Sequence, residues 1–487
     1  MAKSMDPALA FPLALPPRGS GALLRALHGQ LRAAILDGRL QPGLRLPTTR
    51  ALAAAYGISR NTAVAAYDLL LGEGYLLTRP RAGVYVADVL PAAAARKPAA
   101  QAAGIDRRLA APWRRPALRP HAAPAVPPRW HFDLGVPDTR AFPFDVWRRL
   151  AARALRAAAK RPPAYLEPQG QPALRAAIAR HVAFARAVAC GADDIVVTAG
   201  AQQAFDLLAR ILVTPGRTVV AVENPGYPPA RAAFAAAGAR LVPVAVDAEG
   251  LVVERLPDAA RVICVTPSHQ FPLGVAMSAR RRAELLAFAR RRGAVVIEDD
   301  YDGEFRYAGR PLDALQTLDR DAAVFYVGTF SKCLYPALRL GFVAAPTWAR
   351  QALVAAKLAA DWHCPGATQD TLAAFIGEGH LVRHVRRMRG VYAARREALL
   401  AGLDGELSHW LRPLPAVAGL HLAARTAPGV DADALARRAR ELGVGVQSLR
   451  DYRLGRGGVA GLVFGFGQID AAAIPEGLAQ LRRACRA

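Results

Sequence analysis

A lysine, an aspartate and an arginine that could take part in chemistry lie in the middle of the chain. Lys332 follows Ser331 just after an apolar run that predicts a buried strand, and Arg339 comes shortly afterwards. Asp299 follows an earlier run of the same kind. A lysine can form a Schiff base with an aldehyde, a strand-end carboxylate can pair with a ring nitrogen, and an arginine can neutralise phosphate. This combination predicts a site for pyridoxal 5′-phosphate (PLP).

Other segments supply further parts of such a site. Tyr227 follows another predicted strand, where it could stack on a pyridine ring or simply occupy a turn. Tyr301 could hydrogen-bond the ring hydroxyl, and Asp300 could replace Asp299 as the partner of the ring nitrogen. Three residues at a strand end and the first turn of a helix offer N–H groups that favour a phosphate: Gly200, Ala201 and Gln202.

Apolar runs alternate with helical patterns from about residue 131 onward. Helices are predicted, for example, over 202–212 and 279–292. Buried strands are predicted at seven places: 195–198, 218–222, 240–246, 262–266, 294–298, 324–327 and 340–344. This alternation predicts a multidomain protein with an α/β domain over 131–487, built on a mostly parallel sheet and including a smaller α+β subdomain over about 350–487.

Residues 20–88 predict a separate small α+β domain. Apolar residues at helical spacing run over 23–36, Thr48 is placed to cap a second helix, and Ser59 is placed to cap a third. Two short strands, over 75–78 and 84–86, flank a basic turn. Three helices followed by a basic hairpin predict a winged helix-turn-helix.

Blocks 46–50, 57–62 and 73–76 resemble the GntR family of winged-helix repressors. The resemblance implies that the helix beginning after Ser59 enters the major groove of double-stranded operator DNA. A solvated basic face is the alternative role for the arginines of this domain. The residues that the resemblance places on DNA are Arg50, Arg60, Asn61 and Thr62 in the helices, and Arg79, Arg81 and Gly83 in the wing.

Composition and charge indicate which partners and which cellular location the chain suits. The net charge of +25 favours a polyanionic partner, although genomic base bias also produces arginine-rich chains. Residues 89–130 form a linker rich in proline and arginine, which acts either as a spacer or as a basic strap on DNA phosphates. The five cysteines form no C-x-x-C pair, so we expect a cytoplasmic location with neither a metal site nor disulfides. We also expect no membrane span and no signal peptide.

The blocks of the predicted PLP site resemble fold-type I aminotransferases. With segments 165–170, 265–272 and 304–312, they resemble more closely the MocR subfamily of GntR regulators, in which a GntR domain is fused to such a fold. The resemblance implies a homodimer with head-to-tail subunits, in which Tyr165 either reaches the partner subunit's phosphate or is a structural turn residue. It also implies that Arg231 faces an effector carboxylate.

Two departures from the aminotransferase pattern bear on function. Aminotransferases carry Asn-Pro-x-Gly where this chain has Phe271 to Gly274, and His269 is either a substitute for the asparagine or a structural histidine. The strand predicted over 462–466 also lacks the usual substrate-binding arginine, with Arg450 and Arg456 before it. A weaker binding site for the carboxylate of an amino acid suits PLP itself, or an unusual amine, as the bound signal.

We therefore expect a PLP-dependent transcriptional regulator that senses PLP, or a small amino compound, through an aldimine at Lys332. The alternative is an active aminotransferase whose DNA-binding domain is vestigial or has a second role. A residual half-reaction is compatible with both, so turnover stays open. A third possibility is a PLP-independent repressor in which Lys332 is idle.

Overall fold

The computed structural model describes residues 9, 11–17, 20–80, 82–88, 108–114, 127–308, 313–455 and 457–486. Within it the chain divides into two compact units, Met1–Ile105 and Asp106–Ala487. Arg81, Arg456 and most of the predicted linker lie outside the described residues. No helix in the described ranges is long and apolar enough to cross a membrane.

The first unit has three helices and a two-stranded antiparallel sheet around one apolar core. Its elements are α1 (Leu23–Leu36), α2 (Thr49–Tyr56), α3 (Arg60–Gly72), β1 (Leu76–Arg79) and β2 (Gly83–Val86). The three helices follow the sequence prediction, while both strands differ from it by one residue. The strand pair closest to the turn joins Arg79 to Gly83. Gly83 has a left-handed φ of +113°, a conformation that suits a glycine.

The second unit contains the remaining strands and helices. Its strands are β3 (Trp130–His131), β4 (Ile195–Thr198), β5 (Val219–Asn224), β6 (Arg240–Asp247), β7 (Gly250–Leu251), β8 (Ala260–Val265), β9 (Val295–Asp300), β10 (Val324–Thr329), β11 (Gly341–Ala344), β12 (Leu411–Pro413), β13 (His421–Thr426), β14 (Val444–Gly445), β15 (Gln447–Ser448) and β16 (Gly461–Gly465). Its helices are α4 (Ala111–Arg114), α5 (Phe144–Ala158), α6 (Pro172–Arg186), α7 (Ala201–Leu212), α8 (Pro228–Ala236), α9 (Ala279–Arg292), α10 (Leu315–Leu318), α11 (Arg350–Asp361), α12 (Gly366–Gly377), α13 (His380–Asp404), α14 (Ala432–Glu441) and α15 (Ile474–Arg486).

The large sheet of this unit has the strand order β4-β11-β10-β9-β8-β5-β6-β7. The pairs that join β10, β9, β8, β5 and β6 are parallel, and β11 and β7 pair antiparallel with their neighbours. The central strands are buried almost throughout, which explains their continuous apolar runs. The prediction of a mostly parallel sheet is confirmed.

A smaller antiparallel sheet, of order β12-β13-β16-β15, forms the C-terminal part of the unit. Helices α13, α14 and α15 pack in the same region as this sheet. A strand from the start of the unit also belongs here, since β3 pairs with β14 in parallel. The C-terminal subdomain therefore incorporates residues that precede the large sheet in sequence.

Candidate functional site

The predicted PLP residues lie where neighbouring strands of the large sheet end. Asp299 on β9 lies opposite Val327 on β10. Farther along β10, Thr329 lies opposite Gly341 on β11, which in turn lies opposite Thr198 on β4. The register therefore brings the segments after β4, β9 and β10 to one edge of the sheet, the usual place for ligands in such sheets.

Lys332 lies in the turn that follows β10. Its Nζ donates a hydrogen bond of 2.6 Å to the backbone carbonyl of Gly135. A methyl group on Gly135 would lie 2.5 Å from Nζ, so a residue with a side chain would displace the amine. Burial lowers the pKa of Lys332, the charges of Asp302 and Asp299 oppose this, and Arg339 adds to it. The site thus increases the fraction of neutral amine, which is the reactive form.

The two adjacent aspartates at the end of β9 have different surroundings. Asp300 Oδ2 accepts hydrogen bonds from Arg186 Nε at 2.6 Å and from the Tyr326 hydroxyl at 2.7 Å. Asp299 Oδ1 is buried and has no hydrogen-bond partner among the described residues. Burial raises the pKa of Asp299 well above its usual value, and the neighbouring carboxylates add to the effect. A protonated ring nitrogen would supply the missing donor, so Asp299 fits PLP.

Arg339 lies beside the glycine that precedes α7. Its Nη2 donates to the carbonyl of Ala199 at 2.7 Å. A methyl group on Gly200 would lie 2.8 Å from the same nitrogen. Gly200 also has a left-handed φ of +78°. Glycine therefore permits both the backbone turn and the close approach of the guanidinium.

The remaining predicted phosphate contacts surround this arginine. Ala201 and Gln202 form the first turn of α7, whose N-cap residue has no side chain to occupy the first N–H groups. Gln202 Nε2 donates to the carbonyl of Pro229 at 3.2 Å. Ser331 Oγ accepts from the Thr329 hydroxyl at 3.0 Å. A helix N-terminus, a serine and an arginine at one sheet edge fit a phosphate group.

An aromatic wall lies next to these strand ends. The ring of Phe271 is 5.3 Å from that of Tyr227 and 5.9 Å from that of Tyr301. Burial, with the charge of Asp299, raises the pKa of Tyr227 to about 12. The Tyr301 hydroxyl donates to the carbonyl of His269 at 2.9 Å. Phe271, at the position where aminotransferases carry asparagine, therefore contacts both tyrosines through its ring.

Three buried polar side chains adjoin this wall: His269, Asp302 and His421. His269 Nδ1 lies 3.1 Å from Asp302 Oδ2 and 3.0 Å from the Tyr301 hydroxyl. The rings of His269 and His421 are 4.6 Å apart. Their Nε2 atoms are buried and lack hydrogen-bond partners in the described part of the chain.

Arg231 and Arg450, the arginines considered as partners of an effector carboxylate, contact other groups of the chain. Arg231 is buried, lines a cavity of about 20 Å³ with Tyr227 and Asp299, and donates from Nη1 to the carbonyl of Tyr452 at 2.7 Å. Arg450 is exposed and forms an ion pair of 2.6 Å with Asp433. The structure thus brings Arg231 to the predicted site and leaves Arg450 at the surface.

Tyr165 lies on the surface of the second unit. Its side chain is 75% exposed, and its ring contacts that of Trp362 with centroids 4.1 Å apart. A ring so exposed is available to another molecule. The assignment of Tyr165 to the partner subunit's phosphate stays a prediction.

The predicted recognition helix of the first unit begins with an ordered cap. Ser59 Oγ accepts from the Thr62 amide at 3.0 Å and lies 2.8 Å from the Thr62 hydroxyl. Arg60 and Asn61 are exposed in the first turn of α3, and Arg50 is exposed in the first turn of α2. The Thr62 side chain thus takes part in the cap, while the other three side chains extend into solvent.

The wing residues have partners within the first unit. Arg79 stacks on the ring of Tyr85 with its guanidinium carbon 4.6 Å from the centroid, and it lies 3.4 Å from Asp88. The side chain of Arg45 approaches Gly83, where an added methyl group would lie 3.2 Å from Nε. Arg45, which no sequence motif distinguishes, is exposed beside the wing.

Some residues of the site carry no recognisable signal in the sequence. Gly135 and His421 lie far from the strand-end motifs along the chain and reach the site only through the fold. Asp302 belongs to the same acidic block as Asp299, so its position after β9 is the signal that identifies it.

Both units match known protein families. Residues 24–86 match the family of bacterial regulatory proteins described as the gntR family, and residues 131–462 match aminotransferase class I and II. The chain is 38% identical to the probable rhizopine catabolism regulatory protein MocR of Rhizobium meliloti, over 94% of this chain and 93% of that protein. It is 35% identical to the pyridoxine biosynthesis transcriptional regulator PdxR of Corynebacterium glutamicum, over 94% of this chain and 95% of that protein.

Solved structures of aminotransferases resemble the second unit. The α-aminoadipate aminotransferase LysN of Thermus thermophilus matches with a TM-score of 0.67 and 31% identity, over 73% of this chain and 91% of that one. The kynurenine aminotransferase of Pyrococcus horikoshii matches with a TM-score of 0.68 and 27% identity, over 73% and 90%. The predicted fold and cofactor are thereby confirmed. The chain belongs to the MocR-type GntR transcriptional regulators, which join a GntR DNA-binding domain to a PLP-binding, aminotransferase-like domain.

Proposed function

We propose that the DNA binding of this regulator responds to PLP held at Lys332, or to a small amine that reacts with the PLP. The observation that carries the proposal is the buried, unpartnered Oδ1 of Asp299, placed by strand register at the same sheet edge as Lys332 and Arg339. A buried carboxylate oxygen without a donor in the described structure is costly, and a cationic ring nitrogen removes that cost.

The cofactor contacts divide between the ring and the phosphate. Lys332 would hold the aldehyde carbon, Asp299 the ring nitrogen and Tyr301 the ring hydroxyl, while Tyr227 would stack on the ring. The groups proposed for the phosphate are Gly200, Ala201, Gln202, Ser331 and Arg339, together with the partner subunit's Tyr165. When bound, PLP supplies an electrophilic carbon and an electron-withdrawing ring to any amine that reaches it.

The residues around Lys332 prepare its amine for this role. Burial lowers its pKa, and the Gly135 carbonyl accepts one of its N–H bonds, which orients Nζ. Asp299, when ionised, keeps a proton on the ring nitrogen. In the effector, a carboxylate would pair with Arg231, whose Nη1 is already hydrogen-bonded to the Tyr452 carbonyl.

On DNA, α3 would lie in the major groove. Arg60, Asn61 and Thr62 would contact bases and phosphates from its first turn, and Arg50 would do so from α2. The wing, with Arg79, Arg81 and Gly83, would lie over the minor groove. Two such units in a head-to-tail homodimer would read a pair of half-sites, and an effector that changes the dimer would change their spacing.

The test combines covalent trapping with DNA binding. The full-length protein is incubated with PLP, reduced with borohydride and analysed by peptide mass spectrometry, and operator affinity is measured with and without PLP. We expect the label at Lys332, and a PLP-dependent change in affinity that Lys332→Ala abolishes. The matched control is Lys160→Ala, an exposed lysine outside the site. A label absent from Lys332 contradicts the proposal.

The aminotransferase alternative has its own assay. The Lys332, Asp299 and Arg339 set permits chemistry, so amino acids are tested for turnover with 2-oxoglutarate. We expect at most a single half-reaction. Fast multiple turnover combined with an absence of specific DNA binding would replace the regulator with an enzyme.

A further inference from the structure

Arg45 belongs to a short extended segment that pairs with the wing. Its backbone forms an antiparallel bridge with Tyr85 of β2, and Tyr85 pairs on its other side with Leu77 of β1. Backbone hydrogen bonds of 2.9 Å on both sides of this bridge hold residues 44–46 against β2. Arg45 therefore lies at the edge of the wing, with β2 between it and β1.

The alternation of side chains puts Arg45 on the solvent face of the wing. Residues directly opposite each other in an antiparallel pair point to the same face, and the next residues along each strand point to the other. Those next residues, Leu46, Leu76 and Val86, are buried in the core of the first unit. Arg45 is exposed, and its guanidinium has no acceptor among the residues that the structure describes. Its charge is thus available to a ligand.

Gly83 leaves the space in which the Arg45 side chain lies. It comes two residues before Tyr85 on β2 and so belongs to the same face. A methyl group added to Gly83 would lie 3.2 Å from Arg45 Nε and 3.6 Å from its Nη2. A side chain at this position would crowd the guanidinium, which would have to move away from the turn of the wing.

Arg79 shares this face with Arg45 but differs from it in its surroundings. Its guanidinium stacks on the ring of Tyr85 and lies 3.4 Å from the Asp88 carboxylate. The charge of Arg79 is therefore partly neutralised within the wing, whereas Arg45 has no acidic partner in the described part of the unit. Of these two arginines, Arg45 is better able to neutralise the charge of another molecule.

The segment that carries Arg45 is fixed to the predicted recognition helix. The hydroxyl of Tyr67 on α3 donates to the carbonyl of Pro47 at 2.9 Å. Arg45 opposes Tyr85, two residues back from the strand pair closest to the turn. When α3 lies in the major groove and the wing turn lies over the minor groove, this row of the wing comes to the sugar-phosphate backbone.

We propose that Arg45 binds a phosphate of the DNA backbone beside the minor groove, from the place that Gly83 leaves open on the wing. A guanidinium matches the geometry of phosphate oxygens, and a contact of this kind carries no base information. The inference rests on the proposed position of α3 and the wing on DNA. It adds a sequence-independent contact to the base contact proposed for Arg60.

The test compares two DNA duplexes over a range of salt concentrations. One duplex comes from the region upstream of the gene for this chain, and the other is a shuffled duplex of the same length and composition. The full-length protein is titrated into each, and binding is followed by fluorescence anisotropy. Arg45→Ala should weaken binding to both duplexes by the same factor, about fivefold, and reduce the slope of log K against log salt by about 0.9, as expected for one lost phosphate contact.

Further substitutions separate the charge of Arg45 from a structural role. Arg45→Lys should keep the native salt slope because it keeps the charge, whereas Arg45→Gln should match Arg45→Ala. The matched control is Arg32→Ala, which removes an exposed arginine that contacts Glu73 and Tyr75 at the C-terminal end of α3. It should leave the affinities and slopes unchanged. Thermal unfolding checks that each variant is folded, and if Arg45→Ala is not, Arg45→Gln decides.

A double-mutant cycle tests the role of Gly83. Gly83→Ala should weaken binding in the native background and have a smaller effect in Arg45→Ala, where no guanidinium has to move. Backbone strain at a φ of +113° is the same in both backgrounds, so it cancels from the comparison. Equal losses in the two backgrounds would contradict the placement of Arg45 by Gly83.

Other results would overturn the inference as a whole. These are native affinity and native salt slope in folded Arg45→Ala, a loss confined to the upstream duplex, and equal losses in Arg45→Lys and Arg45→Ala, which would indicate a structural role. If the native protein binds neither duplex, the proposed function fails as well. Native binding that does not depend on Arg45 overturns only this inference.

Discussion

Lys332 is a residue on which burial and charge act in opposite directions. Burial lowers its pKa, whereas Asp302 and Asp299 stabilise its protonated form. The net lowering is what a Schiff-base lysine needs, because only the neutral amine attacks an aldehyde. An exposed lysine elsewhere on the chain would carry the same group without this activation.

A pH profile tests this activation. The neutral fraction of Lys332 rises as the pH increases through its lowered pKa, so the rate of PLP attachment should level off at a lower pH than for a free lysine side chain, whose pKa is 10.5. Attachment is followed by absorbance after mixing apoprotein with PLP. A midpoint at or above 10.5 would contradict the proposed environment.

Arg60 is the residue on which operator affinity should depend most clearly. It is exposed at the first position of α3, where a side chain can reach base edges. Arg60→Ala should weaken operator binding by about 1–3 kcal/mol, as expected for a lost base contact. Fluorescence anisotropy measures the loss, with Arg148→Ala on the exposed face of α5 as control. Normal operator binding by Arg60→Ala would place the recognition surface elsewhere.

At the scale of elements, caps and glycines place the functional side chains. Ser59 caps the first turn of α3. Gly200, the N-cap residue of α7, lets the Arg339 side chain approach the start of that helix. In both cases a local backbone feature positions a helix end that is proposed to meet a phosphate or a base. The effect of changing either residue should therefore extend beyond its own contacts.

Ser59→Ala removes the side-chain acceptor of the Thr62 amide. The loss should destabilise α3 by about 1 kcal/mol, while Ser59→Asp, which keeps an acceptor, should be close to native. Hydrogen exchange of the α3 amides followed by mass spectrometry gives the local stability. Unchanged exchange in Ser59→Ala would show that the cap does not stabilise this helix.

Gly200→Ala introduces a methyl group 2.8 Å from Arg339 at a backbone position with φ of +78°. Strain of this kind amounts to about 1–3 kcal/mol. We expect PLP affinity to fall at least about fivefold because the proposed phosphate contacts shift. Gly377→Ala in α12, where an added methyl group meets open space, is the matched control. Native PLP affinity in Gly200→Ala would remove this segment from the site.

At the scale of the whole molecule, the proposed head-to-tail dimer makes the cofactor site a shared property. Tyr165 is largely exposed on its own subunit and is proposed to reach the partner subunit's phosphate. The net charge of +25 per chain suits a dimer whose two DNA-binding units together face a polyanion. Subunit mixing distinguishes a shared site from a site within one chain.

Mixed dimers of Lys332→Ala and Tyr165→Ala subunits should recover one intact PLP site. The subunit with Lys332 then receives a native tyrosine from its partner. Random 1:1 mixing makes half of the dimers heterodimers, each with one intact site of two, so about a quarter of the native number of high-affinity PLP sites should appear. Equilibrium titration of the refolded mixture with PLP gives the number of tight sites. No recovery would place Tyr165 at the site of its own subunit, or outside any site.

The sequence alone predicted the helices of the DNA-binding unit, most strands of the large sheet and the strand-end residues Lys332, Asp299 and Arg339. Such features depend on short-range causes. Helical spacing, caps such as Ser59 and continuous apolar runs act over one element, and a motif that follows a strand lies at the end of that strand. Bounds such as those of the wing strands differed by one residue, because pairing across the hairpin sets them.

Only the tertiary structure distinguished the two aspartates and brought the imidazoles together. Asp299 and Asp300 are equivalent in sequence. Their hydrogen bonding differs because Arg186 and Tyr326, from other elements, donate to the Asp300 carboxylate. His421 and Gly135 reach the site from distant segments. The sequence determined which residue types stand at the ends of elements, since local patterns encode those elements. Their partners, burial and protonation depend on contacts between segments far apart in the chain, which only packing establishes.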